Sequence, residues 1–178
     1  MAVTLTPLSD ADPAAVEALL DAAFGADRRG RTAYRLREGA VAIPELSFAA
    51  WDGARLVGTL QCWPVALRTT DGSETLVMVG PVAVVPALQT QGIGKAMMVA
   101  MIDAAEAADA DALMMIGDPE YYERFGFTAA PAAGWRIDGL YEQRRLLARV
   151  QRDVAREGTL VACHSGECPN PSAFETAA

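Results

Sequence analysis

The spacing of apolar positions changes several times along this chain, and each change marks an element. Val3 to Thr6 alternates as a short strand does. Asp10 or Asp12 then stands where a helix cap is wanted, Pro13 suits a first turn, and Val16, Leu19, Leu20 and Ala23 recur at helical spacing. A second, weaker helix is expected over Thr32 to Glu38. Leu46 to Trp51 reads as a strand ending in a hairpin turn at Asp52-Gly53. Arg55 to Arg68 is rich in β-formers and runs into another turn at Asp71-Gly72. Thr75 to Val85 is a third β run, broken at Gly80-Pro81, where the proline removes a ladder donor and predicts a bulge or a splayed edge. The three runs predict an antiparallel meander.

The second half changes character. Ile93, Met97, Ala100, Met101, Ala104 and Ala108 hold one helical face, and Ala112 to Ile116 is a compact apolar run of strand length. Val82 to Ile116 is therefore a strand, a loop, a helix and a strand, the pattern of a parallel pair with a crossover helix. A short helix carrying Tyr121, Tyr122 and Phe125 follows, ended by Gly126, and Phe127-Thr128 is extended. Beyond Ala129 the pattern is ambiguous. Leu140, Arg144, Leu147, Gln151 and Val154 share one side of a helix, yet Leu146 to Val150 reads equally as a strand; Thr159 to Cys163 is extended.

Composition narrows the function. The chain has 178 residues, about half of them apolar, which suits one domain with a real core. Its net charge of −8 argues against nucleic acid as a partner, since that requires a basic face. No segment has the length and apolarity of a membrane span, and the start lacks a secretory signal, so a cytoplasmic location is expected. Three cysteines, an odd count, do not suggest a disulfide framework.

The loop Gln89-Thr90-Gln91-Gly92-Ile93-Gly94, followed by Lys95, falls between a strand and a helix start. Amides in a first helical turn have no internal acceptor and face the positive end of the dipole, which suits an anion such as pyrophosphate. Glycine at 92 and 94 permits close approach, while Lys95, Gln89 and Gln91 supply side-chain donors. The loop is not a P-loop, which has four residues between its glycines before Lys-Ser/Thr. Nor is it a dinucleotide fingerprint, because position 97 is Met.

Gly80-Pro81-Val82-Ala83-Val84-Val85-Pro86, then Gln89-x-x-Gly92-x-Gly94, an amphipathic helix, a strand and Tyr122-Glu123-Arg124-Phe125-Gly126-Phe127 occur in one order. This succession resembles the GCN5-related N-acetyltransferase (GNAT) superfamily over roughly residues 2 to 130. Gly117-Asp118-Pro119-Glu120-Tyr121-Tyr122 is further similar to its YhbS-like branch. The resemblance implies an α/β (α+β) fold: a mixed, mostly antiparallel twisted sheet, helices on both faces and a splayed central strand pair. It implies an acetyltransferase domain over residues 1–145, with 146–178 completing or flanking it. It implies acetyl-CoA, or another short acyl-CoA, as co-substrate. The pantetheine arm would lie along Val82, Ala83 and Val84, and the pyrophosphate on Gln89 to Lys95. A primary amine of a small molecule or peptide would attack the thioester directly in a ternary complex, with the Val82 amide stabilising the carbonyl oxygen. Tyr122 matches the family's general-acid tyrosine, with packing against cofactor or core as its other reading. A homodimer is plausible for the family.

Two departures accompany the match. Many members carry an acidic base on the strand corresponding to Thr75–Val84; here only Glu74 stands at its rim, leaving Glu74, Glu120, a water chain or solvent. That gap keeps a second class open, a non-catalytic acyl-CoA-binding or regulatory module. Many members also have Asn where this chain has Gly117-Asp118, and Asp118 either caps the following helix or meets the substrate amine. Other groups read as structural. Arg28, Arg29, Arg31, Arg35 and Arg37 read as a solvated face. Cys163, His164 and Cys168 offer too few ligands for zinc, so no metal is expected. Cys62, the methionines and Trp51, Trp63 and Trp135 read as core or pocket wall.

Overall fold

Strand β1 (Val3–Pro7) runs antiparallel to β2 (Phe48–Asp52), which turns through Gly53-Ala54 into β3 (Arg55–Arg68). The tight hairpin needs a positive φ, and Gly53 supplies it at 59°. The computed structural model describes residues 3–164 and Cys168. β3 continues through the predicted second turn into β4 (Ser73–Val84), completing the meander. Leu60 faces Val82 while Cys62 faces Val79, so β4 holds one more residue than β3 across the step. The cis Gly80-Pro81 bond lies in that bulge.

β4 then meets β5 (Ala112–Ile116) in parallel, but only at Val77 with Leu113 and Met78 with Met114. Past Met78 the two strands part. β5 pairs on its other edge with β7 (Leu146–Val150) along its whole length. The second half of β3 carries β8 (Glu157–Ala162), which in turn carries the short β6 (Gly134–Ile137). The sheet is thus mixed and mostly antiparallel, as the sequence implies.

Helices cover both faces. In α1 (Pro13–Phe24), Asp12 caps the first turn by accepting from the Ala14 amide at 3.3 Å, and Val16, Leu19 and Leu20 pack against Ala49 and Ala83. The opposite face takes the crossover helix α3 (Ile93–Ala107), after the one-turn α2 (Thr32–Arg35). Ile93, Met97, Met98 and Met101 of α3 fill the space over Ala50, Leu60, Val79 and Leu113. A second core forms further along the sheet from Val65, Leu67, Met78, Met114, Trp135 and Leu160. The methionines singled out in the sequence are therefore packing residues, each almost fully buried.

Several local expectations are corrected. The helix expected over Thr32 to Glu38 stops at Arg35 and continues as turns. Leu146 to Val150 is a strand, because only an extended segment can satisfy the free edge of β5. The helix around the paired tyrosines is α4 (Pro119–Tyr122), followed by a 3-10 turn over Glu123–Phe125 that Gly126 ends at φ 83°. Cys163 and Cys168 lie together with Cα atoms 5.8 Å apart, while Cys62 is free and buried.

Gly58 on β3 is the seat of α3. A Cβ there would lie 3.0 Å from Met97 Cε, 3.2 Å from Ala50 Cβ and 3.2 Å from Ile93 Cγ2. Gly58→Val should destabilise the fold by about 1–3 kcal/mol despite a better strand propensity. At roughly 2–4 °C per kcal/mol for a chain of this size, calorimetry should show a clear fall in Tm. An unchanged Tm would mean that α3 does not close on the sheet as described.

Candidate active site

The parting of β4 and β5 exposes backbone. The Val85 amide donates to the Val57 carbonyl at 2.9 Å, and Gly58 with Val84 and Thr59 with Ala83 continue that register. Alternation along an antiparallel ladder aims the Ala83 amide at β3 as well. It turns the amides and carbonyls of Val82 and Val84 toward the edge that β5 has left. The Val82 and Val84 amides and the Val82 carbonyl thus face open space between the diverging strands.

At the end of β4 a 3-10 turn over Pro86–Leu88 leads into the glycine loop. Gly92 takes φ 80°, and a Cβ on it would touch nothing within 4 Å, so glycine is required there for its backbone and not for room. The first backward bond of α3 runs from the Ala96 amide to the Gly92 carbonyl at 3.0 Å. The amides of Ile93, Gly94 and Lys95 precede it and face outward at the positive end of a fifteen-residue helix. Gln89 Nε2 donates to the Val84 carbonyl at 3.5 Å, tying the loop back to the strand. Thr90, Gln91 and Lys95 are exposed, whereas the Ile93 side chain enters the core and leaves only its amide available. Free amides thus stand at the two ends of this stretch, on Val82 and Val84 and at the α3 start, while between them the Leu88, Gln89 and Gln91 amides bond back to Val85, Pro86 and Leu88.

Across the cleft lies α4. The Tyr122 ring rests on Gly117, where an added Cβ would fall 2.6 Å from a ring carbon. Any larger side chain at 117 would force that ring to shift. Burial pushes the Tyr122 phenol up to about 12, helped by Tyr121 and Asp118 and opposed by Arg145. The group is a protonated donor at neutral pH. Tyr121 meets it edge-on with centroids 4.9 Å apart, and its hydroxyl reaches 3.5 Å from where a Cβ on Gly94 would stand. The neighbouring tyrosines thus divide the site: one faces the cleft, the other the start of α3.

The carboxylates fall elsewhere than the sequence suggests. Glu74 is bound by Arg152 at 2.7 Å and by the Ala155 amide at 2.8 Å, and the Arg152 contact holds its carboxyl below the usual range. Glu120 pairs with Arg144 at 2.9 Å. Neither lines the cleft. Asp118 sits at the cap position of α4 without capping it; its carboxylate pairs with Arg145 at 3.1 Å on the cleft wall.

The cleft has a volume of about 830 Å³ and continues from the parted strands beneath the segment from Phe24 to Arg37 and beside Leu140 to Glu142. Sequence reasoning missed this roof. Arg28 is 1% exposed and pairs with Glu17 at 2.5 Å and Asp21 at 2.7 Å, with Tyr34 Oη as a further acceptor. Burial opposes its charge, but these bonds hold its pKa above the ordinary value. Thr32 Oγ1 donates to the Leu140 carbonyl at 2.6 Å, joining the roof to the far wall. Arg37 stacks on Tyr34 at 3.6 Å and on Trp63 at 5.0 Å, and donates to Gln61 Oε1 at 3.1 Å. Arg28, Arg31, Arg35 and Arg37 are thus part of the cleft and not merely a solvated face, while Arg29 pairs with Glu17 outside it. Their only sequence signal is the crowding itself.

Trp135 is core, donating to the Ala155 carbonyl at 2.7 Å. Trp51 bonds Thr6 Oγ1 at 3.0 Å. Burial pushes the Cys62 thiol up, which suits packing and not nucleophilic attack. Among the described residues no His, Cys, Asp and Glu side chains gather in threes or more as a metal site would need. No helix among them is long and apolar enough to cross a membrane.

A parted parallel strand pair, an exposed strand edge and a glycine-led helix start define an acyltransferase fold of the kind the sequence resembles. The model of the acetyltransferase (GNAT) domain family matches residues 4–130, and the chain belongs to that family. In solved structures the fold is similar to a GNAT family N-acetyltransferase (YhbS) from Escherichia coli in complex with CoA, with TM-score 0.70 and 21% identity over 99% of this chain and 93% of that one. It is also similar to a GNAT family acetyltransferase from Brucella melitensis in complex with acetyl-CoA, with TM-score 0.65 and 21% identity over 92% and 97% of the two chains. The ribosomal-protein-S18-alanine N-acetyltransferase from Escherichia coli matches with TM-score 0.53 and 16% identity over 95% and 100%. No curated protein matches the sequence.

The Tyr122 phenol titrates above its ordinary value of 10, so the neutral ring stabilises the fold fully below pH 10, and this contribution is lost as pH rises toward about 12. Ultraviolet difference titration should show one tyrosine ionising last, and Tyr122→Phe should remove that final step. A variant that loses an ordinary tyrosine transition instead would place Tyr122 in solvent.

Proposed function

We propose that the chain is an acetyl-CoA-dependent N-acetyltransferase that moves an acetyl group to a primary amine by direct attack in a ternary complex. The observation that carries this reading is the alignment of the open β4 edge with the outward amides of the α3 start. A pantetheine arm along Val82, Ala83 and Val84 would bond that edge as an added strand does. Its pyrophosphate would meet the amides of Gly92, Ile93, Gly94 and Lys95, with the side chains of Gln89, Thr90 and Gln91 beside them. The Val82 amide is the oxyanion donor of this mechanism: charge develops on the thioester carbonyl oxygen as the neutral amine attacks. As the tetrahedral intermediate collapses, the carbon–sulfur bond breaks and the thiolate takes a proton from Tyr122. With Glu74 and Glu120 bound by arginines outside the cleft, the amine's surplus proton passes to Asp118 or to water, and the Tyr122 phenolate regains a proton from solvent.

CoA and acetyl-CoA should raise Tm, by the equivalent of about 2.7 kcal/mol at a hundred times Kd. Gly92→Asp should abolish the shift, because it puts an anionic side chain against phosphate and forces a positive φ of 80° on a non-glycine residue. A flat melting curve at millimolar acetyl-CoA would remove cofactor and function together.

Tyr122→Phe keeps the ring on Gly117 and loses the proton. It should lower kcat by up to about 10²-fold with little change in the KM for acetyl-CoA, since a thiolate is already a good leaving group. Wild-type kcat at several pH values would end the acid role. A chain that binds acetyl-CoA but moves no acetyl group to any amine would be the non-catalytic binding module.

A further inference from the structure

The chain carries a net charge of −8, yet the roof of its cleft is lined by guanidinium groups. Arg28, Arg31, Arg35, Arg37 and Arg145 face it, against two carboxylates, Asp118 and Glu142. The carboxylates and two of these arginines are accounted for locally. Arg28 is neutralised by Glu17 and Asp21. Arg145 pairs with Asp118 at 3.1 Å, and Glu142 with Arg144 at 3.3 Å. Three cations remain. Arg31 donates to the Phe24 carbonyl at 2.9 Å and lies over the Phe24 ring at 5.8 Å. Arg37 is held by Tyr34, Trp63 and Gln61. Arg35 projects from the same turn as Arg31, its Nη1 lying 3.2 Å from the position of a Cβ on Gly139. None of the three has a carboxylate partner among the described residues, and Arg31 and Arg35 are exposed to the cleft.

Positive charge without a counter-ion is an unusual lining for a cleft meant to receive an ammonium group, which it repels. It suits a ligand that brings its own anion. Arg31, the extended residue just before α2, and Arg35, its last residue, both line the cleft, and a guanidinium fork matches an oxyanion. The buried Arg28 cluster and the bond from Thr32 to Leu140 fix that turn over the cleft.

We propose that the acceptor is an amine that also bears an oxyanion, a carboxylate or a phosphate, bound by Arg31 and Arg35 while its amino group points to the parted strands. This rests on the acetyl-transfer reading of the same cleft. The anion anchors the molecule at the roof, and its amino end reaches the parted strands. Arg37, stacked and half-buried, contributes field more than contact.

The test uses amines in matched pairs with the whole chain and acetyl-CoA: glycine against glycinamide for a carboxylate, phosphoethanolamine against ethanolamine for a phosphate. Released CoA thiol gives turnover. Calorimetry of each amine against the CoA complex gives binding whether or not turnover occurs. One pair or the other should favour its anionic member by roughly ten- to a hundred-fold in kcat/KM, and the pair that responds identifies the anion. Arg31→Gln and Arg35→Gln should each erase most of that preference while the Kd for acetyl-CoA, measured separately, stays at the wild-type value. Equal or better use of the neutral members would overturn the proposal, as would a preference that survives both substitutions. If no amine turns over, binding decides: an anionic member that binds wild type but neither variant upholds it, and binding of none ends it. Loss of acetyl-CoA binding in the wild-type chain is the separate result that would sink the acetyl-transfer reading itself.

Discussion

The site depends on two neighbouring strands that cease to pair. β4 and β5 share two residue pairs and then diverge, and three features hold them apart. The bulge at Gly80-Pro81 bends β4 and withdraws a donor. β7 pairs with β5 along its outer edge and so holds it away. Packing of α3 on Ala50, Leu60 and Val79 then fixes where the loop after β4 begins its helix. An unpaired strand edge is costly when dry and attractive to any extended ligand with amides of its own. Given that wedge, the open Val82 and Val84 amides, the outward helix start and the Tyr122 hydroxyl all follow as parts of one channel.

A second layer of organisation is electrostatic. The acidic surplus of the chain is spread over its exterior, while the roof of the cleft concentrates arginines. Arg28 makes this possible. Its ion pairs with Glu17 and Asp21 fasten the segment after α1 to the helix itself, so that the following turn presents Arg31 and Arg35 instead of collapsing onto the sheet. A buried ion network of this kind adds little net stability, but it specifies one arrangement of the chain.

The elements that close locally were legible in the sequence. The meander followed from alternation and two turn signals, the crossover unit from the change of period after Gly92, and the glycine loop from its place at a helix start. What escaped depends on contacts distant in sequence. Leu146 to Val150 carries both periods, and only the vacant edge of β5 decides between helix and strand. Asp118 has the position of a cap, yet Arg145, which it meets only in the fold, takes its carboxylate. Glu74 looked available as a base until the fold brought Arg152 to it. Arg28, Arg31, Arg35 and Arg37 looked solvated because nothing in the sequence reveals that α1 and the Leu140 segment enclose them. Gly117 read as a missing asparagine, and in the fold it meets a ring five residues later.

That last contact couples the size of one residue to the orientation of another. With 2.6 Å between a would-be Cβ and the Tyr122 ring, residue 117 cannot grow unless the ring at 122 turns or shifts. A side chain added at the end of β5 would therefore act on the cleft at second hand, by moving the phenol and not by touching a ligand. Gly117 is thus a steric lock on the tyrosine, exerted by the absence of a side chain.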